Sequence, residues 1–234
     1  MKLFQKIRQT LIKEGNLKKY LLYATGEILL VMIGISLAFQ VNNWNDNRIK
    51  QHSEVRYYEN VRDQIADDGR LIRDQLDFNN GYMEQFRYAN EILESDDQTR
   101  IDTLGLIIRN LTQYSDFDRQ GNIYETMVNS GEIKLLRNND IINGIRLLEE
   151  KYLYLNRMEN IHYNATMTYG APAMISTIKL SNGQIQKADL IYNYEFQNLL
   201  LSLIQIMTEK NKVYHEALYE IEVITKLIGE ELAH

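Results

Sequence analysis

From Tyr20 to Trp44 the chain reads YLLYATGEILLVMIGISLAFQVNNW, and Glu27 is the only charge in it. As a helix, this run would reach roughly 37 Å, enough for a hydrocarbon layer of about 30 Å and its margins. Tyr20, Tyr23 and Trp44 stand near its ends, where amphipathic rings favour the membrane interface. Ahead of it, Lys2, Lys6, Arg8, Lys13, Lys18 and Lys19 face Glu14 alone. That net of +5, in a chain totalling −6, leaves −11 for the remainder. Positive flanks stay in the cytoplasm, so residues 1–19 are expected inside, 20–44 across a membrane, and 45–234 outside.

Two other readings fit less well. Ser36 and Ala38 would supply the small residues of a signal-peptide cleavage site, but the basic lead and the apolar run are long for one. A buried helix of a soluble protein passes the same hydropathy test. Before the span, Phe4, Ile7 and Leu11 line one side of a stretch otherwise rich in Lys and Arg. This predicts a basic amphipathic helix on the inner leaflet, ended by Gly15-Asn16, with a solvated tail as the alternative. The acidic remainder argues against nucleic acid as a partner. Cysteine is absent from the 234 residues, which removes disulfides, thiolate metal sites and cysteine nucleophiles.

The stretch KYLLYATGEILLVMIGISLAFQVNNWND resembles the opening of an uncharacterised family of single-pass membrane proteins of Bacteroidota, whose N-termini read K-Y-L-x-Y-A-x-G-E-I-x-L-V. Tyr124-Glu125-Thr126-Met127 followed by Asn129-Ser130-Gly131 is similar to a later pattern of that family. The resemblance implies a bacterial membrane protein with a mostly helical exterior domain, and it brings no catalytic residues with it.

Beyond Asn45 the apolar positions keep a helical period. Val55, Tyr58, Ile65, Ile72 and Leu76 form one stripe, which Phe86, Ala89 and Leu93 prolong past an expected kink or break at Asn79-Asn80-Gly81. This helix either continues from the span or is jointed at Asn42-Asn43. A short helix is expected over about 100–113, and another that ends at Gly131. Asn138-Asn139-Asp140 offers an N-cap to a long helix that must kink or stop at Pro172. A tight turn at Ser181-Asn182-Gly183 suggests a hairpin between Ile178 and Ile185. The last helix is expected over about 189–232. The fold class is therefore all-α: an N-terminal transmembrane helix, then an irregular bundle of three long helices and shorter ones.

Glu27 reads as an interfacial group, an ion or proton ligand, or a polar contact for a partner helix. Tyr20, Ala24, Glu27, Val31, Gly34, Ala38 and Val41 follow alternating four- and three-residue steps, one seam of a left-handed helix pair. Gly34 and Ala38 would let another backbone approach closely. Glu159-x-x-His162 and Glu231-x-x-His234 have di-metal spacing, but an acidic chain offers such matches by chance, so no metal site and no cofactor are expected. No phosphate loop, dinucleotide glycine pattern or serine elbow occurs. Ser130-Gly131 reads as a helix end, and Asp67, Asp68, Glu149 and Glu150 as solvated faces. Tyr57, Tyr58, Tyr152, Tyr154, Tyr192, Tyr194, Tyr214 and Tyr219 fit either interface or half-buried bundle positions. The expected function is a non-catalytic anchored scaffold, with the lipid bilayer and either its own copies or another envelope protein as partners. The alternatives are a periplasmic ligand sensor and an ion-coupled oligomer using Glu27.

Overall fold

The computed structural model describes residues 17–119 and 122–233. Lys2, Lys6, Arg8, Lys13 and the stretch carrying Phe4, Ile7 and Leu11 lie outside these, as does His234. Among the described residues the fold is all-α but for one small hairpin. The chain divides into two compact units, residues 1–54 and 55–234.

Helix α1 runs Leu17–Glu94. No joint occurs at Asn42-Asn43: the Asn42 side chain donates to Asp46 one turn on, at 3.3 Å, instead of competing for the backbone. The expected break at Asn79-Asn80-Gly81 is also absent, for a reason given below. Within the first unit, α1 leaves its apolar side chains bare. Leu22, Ile28, Leu30, Ile33, Ile35, Phe39 and Trp44 are all more than half exposed.

In the second unit, Asp97 caps a short 3-10 turn at Gln98–Arg100, which leads into α2 (Ile101–Ile108). Helix α3 (Ile123–Ser130) starts at Asn122, whose side chain accepts from the Glu125 N–H, and ends at Gly131 with φ 74°, the expected left-handed terminus. Asn138 caps α4 (Asn139–Ala165) as expected, accepting from the N–H groups of Asp140 and Ile141.

Pro172 neither stops nor breaks the chain. Thr166–Gly170 forms a π-helical turn, closed by Ala171 N–H donating to Thr166 carbonyl, and helix α5 (Ala171–Thr177) follows with Pro172 in its first turn. The wider turn absorbs the missing donor and bulk of proline. The hairpin is where the sequence put it: β1 (Ile178–Lys179) pairs antiparallel with β2 (Gln184–Ile185), Ile178 opposite Ile185. The expected single last helix is two: α6 (Ala188–Ile191), then α7 (Tyr194–Leu232). Asn193 separates them, in an extended conformation and accepting from Phe196 N–H at 2.8 Å.

These elements bury two hydrophobic clusters. One joins Tyr58, Ile65 and Ile72 of α1 to Ile145 and Leu148 of α4 and Ile221 and Ile224 of α7. The other joins Phe86 and Ile92 of α1 to Leu104 and Ile108 of α2 and Leu200 and Leu203 of α7. The tyrosines divide more sharply than the half-buried positions expected of them. Tyr58, Tyr152 and Tyr214 are core residues, while Tyr154, Tyr194 and Tyr219 are exposed.

Candidate functional site

Each long helix carries its buried residues at alternating three- and four-residue steps, and polar residues interrupt each stripe. On α1 the positions Tyr58, Ile65, Ile72, Asn79 and Phe86 repeat every seven residues, and all are essentially sealed. On α7 the series Leu203, Lys210, Ala217 and Ile224 does the same, with Lys210 fully buried. On α4, Ile141, Ile145, Leu148, Tyr152 and Leu155 lead into Glu159, His162 and Thr166, which are buried too. The apolar clusters thus meet across a polar layer built by all three helices and by Ser115 of the loop after α2.

Asn79 explains why α1 does not break. Its Nδ2 donates to the Met207 carbonyl at 3.0 Å and to Asn211 Oδ1 at 2.6 Å, and Asn211 donates in turn to Asn80 at 2.6 Å. Satisfied across the interface, these amides do not compete with the helix backbone.

The charged heart of the layer lies between α4 and α7. Lys210 Nζ donates to the Ser115 carbonyl at 2.7 Å and to His162 Nδ1 at 3.0 Å. An ammonium can only donate, so Nδ1 accepts and the imidazole proton sits on Nε2. Glu159 Oε1 accepts from Phe117 N–H at 2.7 Å and from the Tyr214 hydroxyl at 3.0 Å. The Ser115 hydroxyl links this group to Asn79 Oδ1 at 3.2 Å.

Burial governs the charge states. It pushes the Lys210 ammonium down to about 8, against the opposing pull of Glu159 and Asp116. It also pushes the Glu159 carboxyl up, an effect that hydrogen bonds from Phe117 and Tyr214 and the Lys210 charge oppose. His162, desolvated and beside Lys210, falls to about 3 and is neutral at physiological pH. Within this layer three buried side-chain atoms have no hydrogen-bond partner: Glu159 Oε2, His162 Nε2 and Thr166 Oγ1. They belong to one face of the α4 helical run, at i, i+3 and i+7.

Among the described residues, no group of three or more His, Cys, Asp or Glu side chains is arranged to hold a metal ion. Glu159-x-x-His162 is buried with Lys210 beside it, and the His234 half of the second pair lies outside the described residues. Asp68 and Glu149 depart from the solvated role expected of them. Asp68 is 1% exposed and accepts from the Tyr152 hydroxyl at 3.0 Å, while Glu149 is paired with a largely covered Arg119. Asp67 and Glu150 are exposed, as expected.

The seam residues Ala24, Glu27, Val31, Gly34 and Ala38 all lie on α1. Val31, Gly34 and Ala38 are exposed, Ala24 and Glu27 partly covered, and a Cβ added at Gly34 would meet nothing within 4 Å. Of the basic residues, Lys18 is exposed on the first turn of α1. The polar layer escaped the sequence reading although a signal was present. The α7 stripe through Leu203, Met207, Tyr214 and Ile221 puts position 210 inside, and a lysine stands there.

Fold and site together define a helical bundle with an internal polar layer, on a chain that also has one helix long and apolar enough to cross a membrane. The chain belongs to a family of unknown function (DUF6090), whose model matches residues 27–212, from within the apolar segment through most of the polar layer. No curated protein and no solved structure matches it.

Proposed function

We propose that this chain is a non-catalytic, membrane-anchored scaffold of the bacterial envelope, of the kind its resemblance to single-pass proteins of Bacteroidota implies. Residues 20–44 cross the inner membrane, the basic residues 1–19 stay in the cytoplasm, and the bundle works in the periplasm. It assembles with its own copies or another envelope protein through Ala24, Glu27, Val31, Gly34 and Ala38. The observation that carries the reading is the bareness of the apolar segment. It is long and apolar enough to cross a membrane, and its most apolar stretch is not buried at all. Water would oppose such a surface at about 25 cal/mol per Å², whereas a lipid interior covers it without loss. The open face at Gly34 supports the choice of seam.

The absence of native cysteine makes the test clean. Gly34→Cys is expected to give an oxidative cross-link in native membranes, and Met32→Cys, off the seam, none. A band at twice the monomer mass means self-association, and one at another mass contains the partner. No band from Gly34→Cys in membrane-retained protein would overturn the seam. Extraction of the intact chain by alkaline carbonate would overturn the anchor.

A further inference from the structure

Beside the polar layer, a groove of about 340 Å³ is lined by Tyr114, Asp116, Asn156, Glu159, Asn160 and Tyr163. Its polar equipment is one-sided: two carboxylates, two amides and two phenols, with no lysine or arginine. Glu159 is only 4% exposed, and while its Oε1 is held by Phe117 N–H and Tyr214, its Oε2 has no partner. A carboxylate oxygen left bare at that depth loses more than a typical hydrogen bond is worth, unless something donates to it. Lys210 answers one negative charge, and its ammonium is already engaged with Ser115 and His162. With His162 neutral, Glu159 and Asp116 exceed Lys210 by one negative charge.

We propose that this groove binds a small organic ammonium ion, or the ammonium end of a longer amine, on Glu159 and Asp116 and against the paired rings of Tyr114 and Tyr163. The two rings meet edge to face with centroids 5.4 Å apart, so they offer aromatic surface of the kind that attracts cations. Asn160 donates to the Asn156 carbonyl at 2.9 Å, which leaves its own side-chain carbonyl as a further acceptor. A bare metal ion is the poorer fit, because two carboxylates and no third His, Cys, Asp or Glu fall short of a ligand set. Phosphates and carboxylic acids find no cation in the lining. The volume sits at the low end for a ligand pocket, which suits a molecule of a few heavy atoms. This site goes beyond the scaffold reading and holds whether or not the chain self-associates.

The test is calorimetric titration of the full-length protein in nanodiscs of zwitterionic lipid. The probes are 1,4-diaminobutane and choline, with sodium glutamate, sodium chloride and calcium chloride at matched ionic strength. The amines are expected to saturate the protein in the micromolar-to-millimolar range, and the other three salts to give no saturable heat. Glu159→Gln is expected to weaken amine binding at least about tenfold. Because Glu159 is buried and that variant could unfold, Asp116→Asn and Tyr163→Leu, on the exposed rim, serve as second variants. Each is expected to cost several-fold affinity with an unchanged circular dichroism spectrum. No saturable amine binding to the folded wild-type protein would overturn the proposal. So would equal binding by both rim variants, or saturation by calcium but not by amines.

Discussion

Lys210 bears on several groups at once: it satisfies the Ser115 carbonyl, fixes the tautomer of His162 and offsets the charge of Glu159. Lys210→Met keeps most of the volume but leaves all three without their cation. Its unfolding free energy is expected to fall by about 3–5 kcal/mol, the cost of stranding one member of a buried charged group. A denaturant titration reads this directly, and Lys210→Met with Glu159→Leu, which removes both charges, is expected to recover part of the loss. His162 contributes the opposite kind of pH dependence to that of a histidine in a stabilising ion pair. The unfolded chain takes up a proton near pH 6.5, while folded His162 resists until about pH 3. Between those values the unfolded state binds more protons, so stability falls as pH drops through the window. Thermal melts from pH 7 to 4 are expected to show a shallower acid-side decline in His162→Asn than in the native protein. Parallel declines would mean that the imidazole takes up its proton as readily in the fold as in the unfolded chain.

Elements in this protein are positioned by close backbone approach as well as by apolar stripes. The hairpin turn lies on α2 so tightly that a Cβ at Gly105 would stand 2.0 Å from the Gly183 carbonyl oxygen. No side-chain rotation relieves a clash with backbone. Gly105→Ala is therefore expected to destabilise by about 1–3 kcal/mol, despite alanine's better helix propensity. Gly81→Ala is the control, since an added Cβ there meets nothing within 4 Å and the helix gains propensity. Its expected change is neutral to slightly stabilising. Loss of stability at Gly81 equal to that at Gly105 would show that backbone contact is not the cause. The π turn before Pro172 belongs to the same scale. Gly170 there passes so near the Leu111 carbonyl that a Cβ would sit 3.0 Å away.

For the whole molecule, two tasks are assigned to different stretches. The bundle buries two apolar clusters of its own, while Ile33 and Leu37 lie more than half exposed on α1. Replacing both by arginine costs each position about 2.5–3.5 kcal/mol of insertion free energy and touches no core contact. The double variant is expected to leave the membrane fraction while its thermal midpoint stays that of the native protein. Retention in carbonate-washed membranes would contradict the anchor, and a collapsed midpoint would mean that these side chains serve the fold.

Much of this organisation is written in local pattern. The apolar run, the long stripes from Tyr58 and Leu200, the Gly131 and Asn138 termini and the Ile178–Ile185 hairpin each depend on a few neighbouring residues. Local propensity and periodicity therefore suffice to read them. Asn79-Asn80 and Pro172 were ambiguous for the same reason, and the break at Asn193 was not expected. Asparagine and proline break helices unless something distant satisfies or accommodates them, and only Met207, Asn211 and the π turn showed which case held. Asp68, taken alone, was a solvated carboxylate until Tyr152 was found on it. The site was least legible of all. Lys210, Glu159 and Asn79 lie on three helices far apart in sequence, and each taken singly is an ordinary polar residue of an acidic chain. By itself the sequence determined that this chain is helical, that one segment is long and apolar enough to cross a membrane, and where several of the helices begin or end. Tertiary structure alone decided that the polar breaks in three stripes fall at one level. Burial, charge compensation and an unpartnered carboxylate oxygen are properties of groups brought together, and no single stretch of chain holds them.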